Sequence, residues 1–182
     1  TNYPEDKEEV LDASYNDYEE GFGTRDVPFS RELYIEKEDF REEANKKFFR
    51  LKLGKEVRLK NAYIIKAESC TKDTEVNIIE IQCTYDPLSK SGSGTEESTR
   101  KVKGTLHWVS INHAVKAEVR AYDRLFSDEA PDSDKNKDFM EFLNPTSLEI
   151  INAFLEPSLK TASIGERFQF QRLGYFAVDK DT

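Results

Sequence analysis

A row of basic side chains over residues 100–110 offers the most specific chemistry in this sequence of 182 residues. Read with the two-residue period of a β-strand, one face of this run is apolar and the other is basic. The apolar face consists of Val102, Gly104, Leu106 and Trp108. The basic face consists of Lys101, Lys103, Thr105 and His107, preceded by Arg100. A core strand requires only the apolar face, whereas the cations are suited to a phosphate backbone. An ordinary solvated strand face is the alternative that the run leaves open.

Motifs typical of enzymes are absent from the sequence. It contains no glycine-rich phosphate loop, no G-x-S-x-G elbow and no H-E-x-x-H motif. His107 and His113 do not accompany a Cys or Ser nucleophile, so we expect structural or RNA-contacting roles for them. The spacing of Cys70 and Cys83 fits no zinc motif, and we predict two free thiols, as in a reducing compartment. The sequence therefore favours a binding module with no catalytic residue and no metal site.

The charge of the chain is unevenly distributed. Its 27 Lys and Arg against 36 Asp and Glu give a net charge of −9, which argues against indiscriminate coating of nucleic acid. Acidic residues concentrate in residues 1–20 and 128–138, whereas residues 46–60 contain only Glu56 as an acid among many lysines and arginines. A local basic groove is therefore compatible with an acidic chain.

No segment of the sequence predicts secretion or membrane insertion. A signal peptide and a long apolar run are both absent, so we expect a cytoplasmic protein with no membrane partner. The sequence begins with Thr1 rather than Met, from which we expect an excised piece of a longer protein.

Short strands separated by turns dominate the predicted secondary structure. We predict strands at 27–35, 57–66, 76–85, 100–110, 115–122, 147–155, 167–171 and 173–178. The apolar run 62–65 predicts burial on both faces, and the change of face between Ile78 and Ile79 predicts a β-bulge. Between the strands we predict a lead-in loop over 1–20, a short helix from near Asp39, a mobile hairpin loop at 89–98 and a helical turn at 138–143. This pattern indicates an all-β sandwich or barrel.

Six segments of the sequence, in the same order, resemble the C-terminal anticodon-binding region of the glutaminyl-tRNA synthetases, class I enzymes of the glutamyl/glutaminyl family. They are Thr24–Ser30, Gly54–Lys66, Cys83–Asp86, Lys101–Ser110, Tyr122–Phe126 and Phe168–Phe176. The resemblance extends from about Tyr3 to Asp179. Its motifs, such as Thr-Arg-Asp-Val-Pro-Phe-Ser and Phe-Gln-Phe-Gln-Arg, are long and specific.

The resemblance implies an all-β fold of two small β-barrels packed together, with short helices and long loops. Residues 1–20 would be an acidic lead-in. One barrel would consist of about 21–66 with the C-terminal strands of about 147–182, and the other of about 67–146. The glutamine anticodon would be splayed open between the barrels and read as single-stranded RNA.

The resemblance also implies which residues contact RNA. Arg25, Gln169 and Arg172 match residues at the central anticodon base, and Gln171 stands where the family usually has Glu. The cations that match the region of another anticodon base are Lys90, Arg100, Lys101 and Lys103.

For the longer parent protein, the resemblance implies an ATP- and magnesium-dependent glutamine–tRNA ligase. Its H-x-G-H and K-M-S-K motifs do not occur in this sequence, so we expect the chain alone to be inactive and to need no cofactor. The implied partners are glutamine tRNA and the parent's catalytic domain, and the implied state is a monomer.

Two rival interpretations remain open. One is the glutamyl-tRNA synthetase of the archaeal and eukaryotic type, whose barrels share this ancestry. The other is an all-β protein- or carbohydrate-binding module with Trp108 as an exposed platform. Because Trp108 shares a face with Val102 and Leu106, we predict that it lies in the core.

Overall fold

The computed structural model of the protein describes residues 1–16 and 21–180, so residues 17–20 of the predicted lead-in lie outside the described residues. Strands predominate, which confirms the predicted all-β class. They are β1 (Glu9–Ser14), β2 (Thr24–Phe29), β3 (Leu33–Tyr34), β4 (Phe40–Arg41), β5 (Leu51–Lys52), β6 (Glu56–Leu59), β7 (Ile64–Lys72), β8 (Ile78–Asp86), β9 (Thr105–Leu106), β10 (Val109–Ser110), β11 (Val115–Tyr122), β12 (Leu148–Leu155), β13 (Arg167–Phe170) and β14 (Gly174–Ala177).

In the part of the chain that the structure describes, all helical elements are short. Helix α1 covers Glu96–Thr99, and 3₁₀ turns cover Lys37–Asp39, Pro87–Ser89, Phe139–Phe142 and Pro157–Thr161. The turn at Phe139–Phe142 confirms the helical turn predicted at 138–143. The helix predicted from near Asp39 is wrong, because the chain there continues as β4 and buries Phe40. This segment lacks the apolar stripe that would hold a longer helix against the core.

The largest sheet has the strand order β8-β7-β6-β9. Strand β6 pairs antiparallel with β7 and parallel with β9. The single strand predicted at 57–66 is therefore two strands, which reverse direction at Asn61, where φ is +58°. Burial of the apolar run Ala62–Ile65 is confirmed. Among the described residues the sheets are small and do not close into the barrels that the resemblance implies.

A β-bulge in β8 confirms the predicted change of face. The register steps from Thr71↔Glu80 to Lys72↔Ile78, which leaves Ile79 as an extra residue. Ile79 is 64% exposed, whereas Ile78 and Ile81 pack against the core. The bulge therefore keeps the apolar side chains on both sides of it on the core face.

The N-terminal residues are not the loop predicted from their charge. Strand β1 pairs antiparallel with the whole of β2. Leu11 and Ala13 point into the core, and Tyr3 is also buried. The loop prediction is wrong because only two inward side chains of β1 establish the strand period among many charged neighbours.

Aromatic side chains form the centre of the core. The Trp108 ring lies edge-on to Phe29 at 4.9 Å, and Tyr63 lies edge-on to Tyr85 at 5.0 Å. The indole N–H of Trp108 donates to the Lys60 carbonyl at 2.9 Å. Trp108 is 3% exposed, so the prediction of a core position is confirmed and the exposed-platform interpretation is wrong.

The run 100–110 has the predicted alternation of burial but is not one strand. Lys101, Lys103 and Thr105 are exposed, and Leu106 and Trp108 are buried. Only Thr105–Leu106 and Val109–Ser110 pair with neighbours, in two different sheets. The backbone leaves one sheet and enters the other between them, which breaks the strand.

The segment predicted as a hairpin loop at 89–98 contains α1, and Ser89 within it is fully buried. It is not a hairpin, because β8 and β9 are not neighbours in the sheet. Its mobility stays a prediction.

Contacts within the chain define two compact units, residues 1–115 with 156–182, and residues 116–155. In the second unit β11 pairs with β12, and β11 alternates half-buried and exposed side chains as predicted. In the first, β13 and β14 confirm the strands predicted at 167–171 and 173–178, and they pair antiparallel. The boundary predicted between the barrels falls inside β7, and the assignment of residues to two barrels stays a prediction.

Candidate RNA-binding site

Arg25 on β2 is held by a carboxylate from a distant part of the sequence. Its Nε donates to Glu156 Oε2 at 2.5 Å and its Nη2 donates to Glu156 Oε1 at 2.9 Å. Its Nη1 donates to the Ser14 carbonyl at 2.7 Å, and its guanidinium lies over the Tyr15 ring at 5.4 Å. This bidentate geometry fixes the plane of the guanidinium before any ligand binds.

The same carboxylate also contacts His107 from the basic run. His107 Nε2 lies 3.0 Å from Glu156 Oε1. Burial of Glu156 would raise the pKa of its carboxyl group, but the hydrogen bonds from Arg25 and His107 outweigh burial and lower the pKa to about 2. Glu156 is therefore ionised at neutral pH and joins β2 to the basic run.

A small open cleft of about 20 Å³, with room for about one water molecule, lies at this cluster. Its lining combines basic side chains, one carboxylate, one amide and apolar side chains. It consists of Leu11, Ala13, Arg25, Val27, Lys60, Asn61, His107, Trp108 and Glu156. Lys60 Nζ also donates to the exposed Gln171 amide oxygen at 3.3 Å, so the structure connects one predicted site residue near the C-terminus to the lining of the Arg25 cleft.

Arg172 has a carboxylate partner of its own. Its two terminal nitrogens donate to Asp39 at 2.9 and 2.7 Å, and Arg50 Nε lies 3.3 Å from the same carboxylate. Asp39 is 1% exposed, and its hydrogen bonds raise the pKa of Arg172. Arg172 sits in the turn between β13 and β14 with φ of +69°. Asp39 therefore holds Arg172, the residue next to Gln171.

Gln169 lies on the solvent side of β13. It pairs with Tyr175 in register, and its side chain is exposed together with that of Arg167. Phe168 and Phe170 are half-buried on the opposite face, which confirms the predicted alternation of this strand.

The remaining predicted cations do not line the Arg25 cleft. Lys90 Nζ contacts Glu9 Oε2 at 2.9 Å, and Arg100 contacts Glu56 at 2.5 Å and Asp86 at 3.0 Å. Lys101 and Lys103 are exposed, and Lys103 Nζ lies 5.6 Å from the centre of the Phe49 ring. Arg25 and Arg172 are held by different carboxylates from those that hold Lys90 and Arg100.

The sequence analysis did not predict the carboxylates that hold Arg25 and Arg172. Glu156 and Asp39 are separated from their arginines by 131 and 133 positions. The only signal was a carboxylate directly before Pro157 and another before a buried Phe40, and neither identifies its partner. Lys60 and Asn61 lay in a segment that we predicted to be a strand.

No group of three His, Cys, Asp or Glu side chains in residues 1–16 and 21–180 is arranged to hold a metal ion. Cys70 and Cys83 are both free thiols, and burial raises the pKa of Cys83 to about 11. In the same part of the chain, no helix is long and apolar enough to cross a membrane.

Comparison with protein families gives two matches along the chain. One family model covers residues 1–86 and the other covers residues 105–179. Both are described as the anti-codon binding domain of class I tRNA synthetases (E and Q).

Among curated proteins, the chain is similar to several that are named glutamine–tRNA ligase. It is 53% identical to that of Rhodopirellula baltica over 183 residues, covering 100% of this chain and 30% of the relative. It is 52% identical to that of Proteus mirabilis, covering 98% and 31%. It is 46% identical to that of Clostridium kluyveri, covering 98% and 32%. The chain thus spans about a third or less of the length of these relatives.

Proposed function

We propose, on the premise that this chain belongs to the anticodon-binding domains of the class I tRNA synthetases (E and Q), that it reads the anticodon of glutamine tRNA. The observation that carries the proposal is the Arg25 cleft. There a guanidinium fixed by Glu156 lies with Lys60, Asn61 and His107 around one small open cleft, against which an unstacked base could pack. Glutamine rather than glutamate is favoured by the names of the relatives.

The proposed recognition follows from the donors and acceptors at this cleft. Arg25 and Lys60 supply N–H donors, and the amide of Asn61 supplies both a donor and an acceptor. Uracil at the centre of the anticodon presents carbonyl acceptors on either side of one N–H donor. A base with a different pattern would leave buried polar groups unpaired, which disfavours it. In this proposal Gln169 and Arg172 complete the contacts to this base, and Lys60 connects Gln171 to the lining of the Arg25 cleft.

The proposed phosphate contacts come from the second group of cations. Lys90, Arg100, Lys101 and Lys103 supply charge along the RNA backbone and carry no base preference of their own. Their contribution to binding is therefore expected to decrease as the salt concentration rises.

The parent protein, in this proposal, is a cytoplasmic, monomeric glutamine–tRNA ligase. Its catalytic domain would supply ATP and magnesium binding and aminoacyl transfer. This chain would contribute the choice of tRNA and would have no ligase activity alone. The support is the name and the similarity of the relatives, of which this chain matches about a third.

The test measures binding of the chain to stem-loop RNAs that differ only in the anticodon. We expect the CUG loop to bind more tightly than a loop altered at the central base, and more tightly than CUC, the corresponding glutamate anticodon. Arg25→Ala and Gln169→Ala should each weaken CUG binding by about 1–3 kcal/mol and affect the central-base variant much less. Arg120→Ala, on β11 in the other unit, is the matched control and should leave binding unchanged.

Equal losses for cognate and altered loops would show that Arg25 and Gln169 do not read the central base. Tighter binding of CUC than of CUG would favour the glutamyl enzyme, and equal affinity would exclude discrimination between the two anticodons by this chain. An affinity that is insensitive to salt would contradict an RNA site altogether.

A further inference from the structure

Residues 87–100 carry two of the cations assigned to RNA binding, Lys90 and Arg100. The segment comprises the turn Pro87–Ser89 and helix α1, and it leads from β8 into the basic run. Because β8 and β9 are not neighbours in the sheet, strand pairing does not hold the two ends of this segment together. Its conformation depends on other contacts.

Arg58 on β6 connects both ends of the segment through backbone carbonyls. Its Nη1 donates to the carbonyl of Ser89 at 2.8 Å and to Ser91 Oγ at 3.1 Å. Its Nη2 donates to the carbonyls of Ser98 at 3.0 Å and Arg100 at 3.3 Å. One planar guanidinium thus fixes the backbone directly before Lys90 and at Arg100 itself.

These partners of Arg58 are neutral oxygens, so they satisfy its donors without cancelling its charge. Burial and the neighbouring Arg100 lower the pKa of Arg58, and Asp86 opposes them. Arg100 is separately paired with Glu56 and Asp86, which orients its side chain once the backbone is in place. The role of Arg58 is therefore geometric. A lysine ammonium carries the same charge but cannot span the two pairs of acceptors.

We propose that Arg58 is a positioning residue for RNA binding, which makes Lys90 and Arg100 act as one phosphate-binding unit by clamping the backbone on both sides of them. Arg58 itself need not touch RNA. The inference rests on the proposed function, since it assigns the organisation of that same binding surface.

The experiment measures the affinity of the chain for the CUG stem-loop across a range of salt concentrations. We expect Arg58→Lys to weaken binding about tenfold and to lower the salt slope by about 1.4, which corresponds to two contacts with single-stranded phosphates. The double variant Lys90→Ala with Arg100→Ala should give the same slope. Adding Arg58→Lys to that double variant should change neither value further, because the clamped cations are already absent.

The matched control is Arg31→Lys, since Arg31 also donates to a backbone carbonyl, that of Tyr3 at 2.8 Å, but outside this segment. It should retain the wild-type slope. Arg58→Gln, which removes the charge and retains one amide donor, serves as a second variant and should also lose the two contacts. Near-ultraviolet circular dichroism of the aromatic core verifies that each variant is folded.

Two results would overturn the role assigned to Arg58 and leave the proposed function intact. One is that Arg58→Lys has the same salt slope as the wild-type chain, with the wild-type chain binding the CUG loop. The other is a loss that adds fully to that of Lys90→Ala with Arg100→Ala, which would mean that Arg58 contacts RNA itself. Failure of the wild-type chain to prefer the loop over its bare stem would instead overturn the proposed function, and the role of Arg58 with it.

Discussion

At the residue scale, Glu156 positions the basic side chains of the Arg25 cleft. Its carboxylate is only 11% exposed, yet it holds Arg25 and His107 from two different segments. A buried carboxylate between two such donors is stable only while it is ionised. The position of Arg25 therefore depends on a group whose charge is removed by acid.

Glu156 should make the folding stability of the chain sensitive to acid. Burial raises the pKa of Glu156, but its hydrogen bonds lower it from 4.5 to about 2. A group whose pKa is depressed by folding stabilises the protein above its unfolded pKa and loses that contribution as the pH falls through the folded value. We expect Glu156→Gln to reduce the free energy of unfolding at neutral pH by about 2–3 kcal/mol, and the difference from wild type to shrink between about pH 4.5 and pH 2.

Urea denaturation at several pH values measures this effect. Glu149→Gln, an exposed position on the neighbouring strand β12, is the control and should match wild type throughout. Glu9 contributes acid sensitivity of its own, because hydrogen bonds from Lys7, Lys90, Tyr63 and Tyr3 outweigh burial and lower its pKa to about 2. Only the part of the pH dependence that Glu156→Gln removes belongs to Glu156. A constant difference at every pH would contradict the prediction.

Candidate cations could be chosen from the sequence, but their carboxylate partners could not. Arg25, Arg100 and Arg172 stand in recognisable motifs, and the resemblance assigns them on that basis. Their carboxylates come from positions far along the chain, as the 131-residue separation of Arg25 and Glu156 illustrates. No local pattern specifies such a pair, because it depends on how the strands are arranged in space.

At the element scale, the hydrophobic periodicity predicted the bulge within a strand but did not predict where the chain reverses direction. The change of face between Ile78 and Ile79 correctly predicted the β-bulge. The reversal at Asn61 was missed because the residues after it are uniformly apolar and no Gly or Pro marks the turn. Asn tolerates a left-handed φ better than most residues, so it replaces glycine there.

Gly104 shows how closely the backbone of the basic run approaches the 48–50 segment. A Cβ at this position would lie 2.2 Å from the Phe49 carbonyl oxygen and 3.0 Å from Val57 Cγ1. The first contact is with backbone, which cannot rotate away. We expect Gly104→Ala to lower the free energy of unfolding by about 1–3 kcal/mol through displacement of the 48–50 segment or of β9.

Chemical denaturation measures the effect of Gly104→Ala, with Thr105→Ala as the control on the adjacent exposed position. The control should remain within about 0.5 kcal/mol of wild type. A Gly104→Ala variant as stable as the control would mean that the backbone at Phe49 yields freely to the added methyl group.

At the scale of the whole molecule, an acidic protein is proposed to bind a polyanion. The net charge is −9, and the acidic stretch at 128–138 belongs to the smaller compact unit. The cations assigned to RNA all lie in the larger unit, and several of them are paired with carboxylates: Arg25, Lys90, Arg100 and Arg172. These pairs fix the geometry of the cations and reduce the long-range attraction of RNA. The sequence was sufficient to predict the uneven distribution of charge, whereas the ion pairs between these cations and their carboxylates were visible only in the structure.

Binding should therefore depend on the loop of the RNA rather than on its charge. A stem-loop with the CUG anticodon and the same stem closed by a short unrelated loop carry similar phosphate charge. Only the first offers unstacked bases to the Arg25 cleft. We expect the chain to prefer the CUG loop by about 100-fold or more near physiological salt, as measured by fluorescence anisotropy, because general attraction by an acidic protein is weak. The preference should persist as salt rises while both affinities fall. Comparable binding of the two RNAs would show that the cations act as a general basic surface and that the negative net charge does not weaken their non-specific attraction of RNA.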